Sequence, residues 1–114
     1  MVVDEVESIE APPGVLQDYE NLVVALVAAE GGPMYAGPRL EPLGGECVEV
    51  LVDAAVAARM YGMNLTTWRD RALGLGLAAP DQLERVAAGL QRLVDGQDRR
   101  RPVRWVLRQL VVPA

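Results

Sequence analysis

Apolar residues recur at helical spacing over residues 15–30. Leu16, Tyr19, Leu22, Val23, Leu26 and Val27 fall three or four positions apart and so share one face of a helix. Gly31-Gly32 supplies the stop and Pro33 prevents continuation. The pattern returns over 46–61, where Val48, Leu51, Val52, Ala55, Val56 and Met60 make a stripe and Ala54, Ala57 and Ala58 keep the rest smooth. This predicts a central core helix, closed by Tyr61-Gly62, with Met63-Asn64-Leu65 as a short strand after it. Thr67, with Asp70 three residues on, caps a further helix over 67–73, and Trp68 packs inside the domain. Gly74-Leu75-Gly76-Leu77 then turns the chain. Pro80 opens a helix over 80–94, because the first helical position needs no internal N–H bond. That helix buries Leu83, Val86, Ala87, Leu90, Leu93 and Val94. Its outer stripe is Gln82, Arg85, Gly89 and Arg92.

The remaining segments lack this regularity. Residues 1–14 are acidic and end in Ala-Pro-Pro-Gly, which reads as a flexible tail with Val2, Val3, Val6 and Ile9 as weak anchors. Residues 31–45 hold three prolines and five glycines and form a connector, packed onto the core by Met34, Tyr35, Leu40 and Leu43. They carry no Gly-Lys-Ser/Thr ending, so a phosphate loop is excluded. Residues 102–112 fit two periods. As a helix, Val103, Val106, Leu107, Leu110 and Val111 form a stripe; as a strand, Val103, Trp105, Leu107 and Val111 share a face opposite Arg104 and Arg108. The density of β-branched residues and Trp selects the strand. The helical alternative makes the whole chain an all-α bundle.

Composition narrows the chemistry. The 114 residues suit one domain over 15–114, and 51% apolar content gives it a core. No apolar run reaches the length of a membrane span, and the acidic start argues against a signal peptide. A cytoplasmic setting follows as the default. The chain has no His, Lys or Phe. Imidazole acid–base chemistry, a Schiff-base lysine and metal sites of His or paired Cys are therefore absent. The lone Cys47 lies in an apolar helical pattern and reads as a buried, inert thiol. No carboxylate cluster has a recognisable spacing. The expectation is a protein that is not an enzyme and carries no cofactor or metal.

The net charge of −5 conceals a division. Residues 1–58 carry eleven acids against Arg39 alone, a net of −10; residues 59–114 carry ten arginines against five acids, a net of +5. Such asymmetry points to a polyanion partner or a self-complementary contact. Every basic residue is Arg, whose fork suits phosphate. Gln and Arg on the outer stripe of 80–94 also suit adenine and guanine edges, although Asp81 and Glu84 would repel phosphate.

Two helices joined by a short glycine turn make a helix-turn-helix. On Ala72, Leu73, Gly74, Leu77, Leu83 and Val86 the segment resembles that motif. Taken together with residues 96–112, it resembles the winged-helix superfamily at the level of fold, over the C-terminal half. The resemblance implies a mainly α fold with a small β wing over 96–112 and an extra N-terminal helix. It also implies a DNA-binding protein, a transcriptional or other DNA-associated regulator, whose partner is double-stranded DNA. Helix 80–94 would enter the major groove with Gln82, Arg85 and Arg92. The tip Arg99, Arg100 and Arg101, with Arg104, would meet backbone or minor groove, and Arg69 and Arg71 would position the module on phosphate. A homodimer through helix 15–30 is the oligomer this picture offers. The alternative function is a protein–protein interaction module that binds no DNA.

Overall fold

The computed structural model describes residues 2–31 and 45–111, with the side chains of 6–31 and 45–109. Among these residues the order is β1 (Val2–Glu10), α1 (Val15–Ala29), β2 (Glu46–Val52), α2 (Ala54–Gly74), α3 (Pro80–Val94) and β3 (Val103–Val111). The strands form one antiparallel sheet in the order β1-β3-β2, so the last strand is its centre. The fold is a mixed α/β arrangement, mostly helical, with three helices and a three-stranded sheet among the described residues. Among those residues, no helix is long and apolar enough to cross a membrane. The connector expected to pack Met34, Tyr35, Leu40 and Leu43 onto the core lies outside the described residues.

α1 and α3 follow the expected bounds. Leu16, Tyr19, Leu22 and Leu26 of α1 are buried, as are Leu83, Val86, Leu90 and Leu93 of α3. The apolar stripe of α1 therefore serves the core. Both later helices stop where glycine takes a left-handed backbone. Gly76 (φ 71°) and Gly96 (φ 73°) follow the last residues of α2 and α3. Leu77 N then donates to Ala72 O and Gln97 N to Arg92 O, closing each end as a Schellman motif.

The helix expected over 46–61 divides instead into β2 and the first turns of α2. Val48, Val50 and Val52 satisfy a two-residue period as well as Val48, Leu51 and Val52 satisfy a helical one, and three β-branched residues in seven favour the strand. Asp53 makes the break: its side chain accepts from Ala55 N at 3.1 Å and so caps α2 at Ala54. α2 then runs unbroken through Tyr61-Gly62, through the expected Met63–Leu65 strand and through 67–73. Thr67 is no cap, because its hydroxyl donates back to Met63 O, as that of Thr66 does to Gly62 O. Gly62 costs a helix roughly 1 kcal/mol against Ala. The burial of Ala57, Ala58, Tyr61 and Leu65 on either side of it exceeds that loss.

Residues 2–10, expected as a tail, pair along β3 as β1. Charge explains the pairing. Arg108 of β3 holds Glu7 and Arg104 holds Glu10, so an acidic strand meets a basic one. The strand expected over 102–112 is present as β3, which rules out the all-α bundle. The wing is not a hairpin, however: β3 is held on both sides by strands that precede α2, and no second strand follows α3 among the described residues.

One face of the sheet meets the helices. Val103 is fully buried, and Trp105, Ile9 and Val52 pack beside it against Leu16, Tyr19, Tyr61 and Leu93. The other face carries Arg104 and Arg108 of β3, Cys47, Glu49 and Leu51 of β2, and Glu7 and Glu10 of β1.

Candidate functional site

α1 and α3 border an open groove of about 660 Å³. Four of the residues expected to contact DNA line it: Gln82, Arg85 and Arg92 from α3, and Arg100 from the loop before β3. α1 contributes Asp18 and Asn21. The helices approach closely because Gly89 has no side chain. A Cβ there would stand 2.7 Å from Val15 Cγ2. The stripe Gln82, Arg85, Gly89 and Arg92 is therefore only in part an outward face of α3. Gly89 is buried and Gln82 half-buried, so that edge of the helix turns toward α1. The face most open to solvent carries Asp81, Glu84 and Asp95 together with Arg85, Ala88, Gln91 and Arg92.

The arginines differ in how far their charge is committed. Arg85 holds Asp81 at 3.1 Å, with both side chains more than two-thirds exposed, a geometry that contributes little. Arg100 Nη1 donates to Asp98 Oδ1 at 2.9 Å and to Arg99 O. Asp98 also accepts from Arg99 N at 2.8 Å, so one carboxylate shapes the loop that presents Arg99, Arg100 and Arg101. Gly14 (φ 112°) lies under Arg100, where a Cβ would stand 3.3 Å from Nε. Arg92, Arg99 and Arg101 are exposed and form no ion pair among the described residues.

The other expected contacts lie elsewhere. Arg69 is exposed on the last turns of α2, and Arg71 reaches Glu30 at 2.7 Å. Arg104 is on the outward sheet face, 2.6 Å from Glu49 and 3.3 Å from Glu10. The Glu49 hydrogen bond raises its already high pKa, with a smaller contribution from Glu10. Its charge is satisfied within the sheet, and the groove does not include it.

Two clusters have no signature in the sequence. On the outward face, Glu7 Oε1 accepts from Arg108 Nε and Nη2 at 2.9 and 2.7 Å, while Cys47 Sγ donates to Glu7 Oε2 at 3.3 Å. Cys47 is thus an exposed strand residue and not a buried helical thiol. The Arg108 hydrogen bonds, aided by Cys47, hold Glu7 below the usual carboxylate range. Where sheet and helices meet, Tyr19 stacks on Tyr61 with ring centroids 4.2 Å apart, and Trp68 lies 5.8 Å from Tyr19. With Trp105 and Ile9 they border a cleft of about 290 Å³, and burial raises the Tyr19 phenol above its ordinary value. Trp68 packs against the core, as expected, although from the middle of α2 and not from a helix start.

No group of three or more metal-ligating side chains gathers among the described residues. Comparison with protein-family models, curated proteins and solved structures returned no match.

Proposed function

We propose that this chain is a DNA-binding module that grips the phosphate backbone through the basic corner at the α1–α3 groove. The observation that carries this reading is the convergence of Arg85, Arg92 and Arg100 on one groove, with Arg99 and Arg101 on the adjoining loop. A bidentate guanidinium suits a phosphate oxygen pair. The exposed pairs Arg85–Asp81 and Arg100–Asp98 are weak enough to yield to phosphate.

α2, its glycine turn and α3 keep the order of a helix-turn-helix, and on this reading the winged-helix resemblance concerns that pair of helices. Base reading by α3 is the weaker part, since Asp81, Glu84 and Asp95 share its open face. Affinity then comes from backbone contacts with little sequence choice. A regulator acting through general DNA affinity fits this better than one reading an operator.

The test is duplex binding across a salt series, comparing the wild type with an Arg99, Arg100, Arg101→Ala triple variant. The wild type should weaken linearly in log salt, with a slope of about −0.9 per phosphate contact, and the variant should lose about three contacts' worth. Absence of duplex binding at low salt would refute the reading. The second reading, a protein–protein module, draws on a different observation: the apolar outward face of α2.

A further inference from the structure

The cleft where the sheet meets the helices gathers the aromatic side chains of the chain. The sequence holds three Tyr, two Trp and no Phe. Four of these five rings, Tyr19, Tyr61, Trp68 and Trp105, line this one cleft of about 290 Å³. Elsewhere the buried core is aliphatic, built from Leu, Val and Ala. Tyr19 and Tyr61 are buried in their stack, whereas Trp68 and Trp105 are half-buried and keep part of their surface open. The Nε1–H of Trp105 is buried and meets no acceptor among the described residues. An aliphatic side chain or a Phe would avoid that cost, so packing alone does not account for the indole.

Charge decides what these rings hold. The wall also includes Glu20, the only charged side chain buried among the described residues, at 4% exposure. No arginine is among the described residues that line the cleft. Glu20 makes a contact of its own within the protein, and its charge is nonetheless felt here. Burial raises the Tyr19 phenol, and the Glu20 carboxylate adds to that rise against hydrogen bonds with Trp68 and Asn64. The faces of aromatic rings attract cations as well, so rings and carboxylate favour the same sign. The rings, with Ile9 and Val23, make most of the lining apolar. A bare ammonium would not recover there the hydration it sheds. A methylated ammonium sheds less and packs its methyl groups on the rings. The volume is at the low end for small-molecule sites, which favours a compact ion.

The geometry points to a binding site for a small quaternary ammonium compound the size of choline, its methylated nitrogen against Trp68 and Trp105 and facing Glu20. β1, α1, α2 and β3 each supply part of the wall, so the ligand ties the sheet to the helices. The site shares no residue with the α1–α3 groove and stands apart from the DNA reading.

Trp68 and Trp105 are the only tryptophans of the chain, so intrinsic fluorescence reports on this cleft. Choline chloride, titrated at constant ionic strength, should give a saturable change in the millimolar range and raise the melting temperature. Its uncharged isostere, in which carbon replaces the nitrogen, should bind about tenfold more weakly. Glu20→Gln should weaken choline several-fold and leave the isostere unchanged. Glu84→Gln, on the open face of α3, should alter neither. Trp68→Leu, checked for folding by circular dichroism, should abolish the saturable response read from Trp105. The comparison of choline with its isostere uses the wild type alone, so it decides even where a variant unfolds. The proposal is overturned by a wild type without a saturable response, or by an isostere that binds as tightly as choline. A folded Glu20→Gln or Trp68→Leu of unchanged affinity overturns it too.

Discussion

Gly89 of α3 lies against Val15 of α1, so closely that a single added methyl group would stand 2.7 Å from Val15 Cγ2. This contact sets the spacing of the two helices that border the groove. A glycine on the charged stripe of α3 thus serves the approach of a second helix.

Two glycines should therefore respond to alanine with opposite sign. Gly89→Ala gains roughly 1 kcal/mol of helix propensity but overpacks a close contact, which costs about 1–3 kcal/mol. It should lower the melting temperature, and Val15→Ala in the same chain should recover part of the loss. Gly62→Ala in α2 meets nothing within 4 Å and should raise the melting temperature. Thermal unfolding of the three variants decides the matter, and a stabilised Gly89→Ala would contradict the packing of α3 on α1.

The start of α2 gives a second test. Asp53→Ala removes the side chain that accepts from Ala55 N and should cost about 1 kcal/mol in urea unfolding. Thr67→Ala should cost less than about 0.5 kcal/mol, since that residue sits in mid-helix, exposed. The reverse ranking would return the helix start to Thr67.

Arg104 separates structure from DNA binding. Its guanidinium serves Glu49 and Glu10, so Arg104→Met should weaken the sheet and leave the salt slope of duplex binding unchanged. Arg99→Ala and Arg101→Ala should do the opposite, each flattening the slope by about 0.9 with native stability. The comparison needs only binding isotherms and a melting curve for each variant.

Glu7 makes stability fall with acid. Its folded pKa is depressed by Arg108 and Cys47, so the unfolded chain takes up a proton first as the pH drops. The stabilisation is complete above the ordinary carboxylate pKa and is lost as the pH falls through the depressed one. Glu7→Gln should therefore be less stable than the wild type at neutral pH, with the gap closing in acid. Urea midpoints for both proteins at a series of pH values would show it, and a constant gap would speak against the pairing.

α1, α3, the end of α2 and the final strand were legible because their information is local. α1 and α3 each carry a full apolar stripe, Gly76 and Gly96 mark the ends of α2 and α3, and the β-branched run of β3 outweighs its helical period. β1 was hidden because its partner is about a hundred residues away: Glu7 looks like a solvated acid until Arg108 is beside it. β2 was hidden because valines at 48, 50 and 52 and apolar residues at 48, 51, 52, 55 and 56 satisfy both periods at once. The grouping of Gln82, Arg85 and Arg92 could be read from spacing. The approach of α1 at Gly89 could not, since a glycine announces a close approach without naming the neighbour.

The place of β3 in the sheet also orders events in time. β1 and β2 flank a strand that is made after both of them, so during synthesis neither has a sheet to join until residues 103–111 leave the ribosome. The helices can close first, being local, whereas the sheet waits on contacts across most of the chain. An early strand left waiting is an invitation to pair with a neighbouring nascent chain. The acidic residues of β1 make it a poor template for such an encounter until Arg108 and Arg104 of β3 arrive to neutralise Glu7 and Glu10.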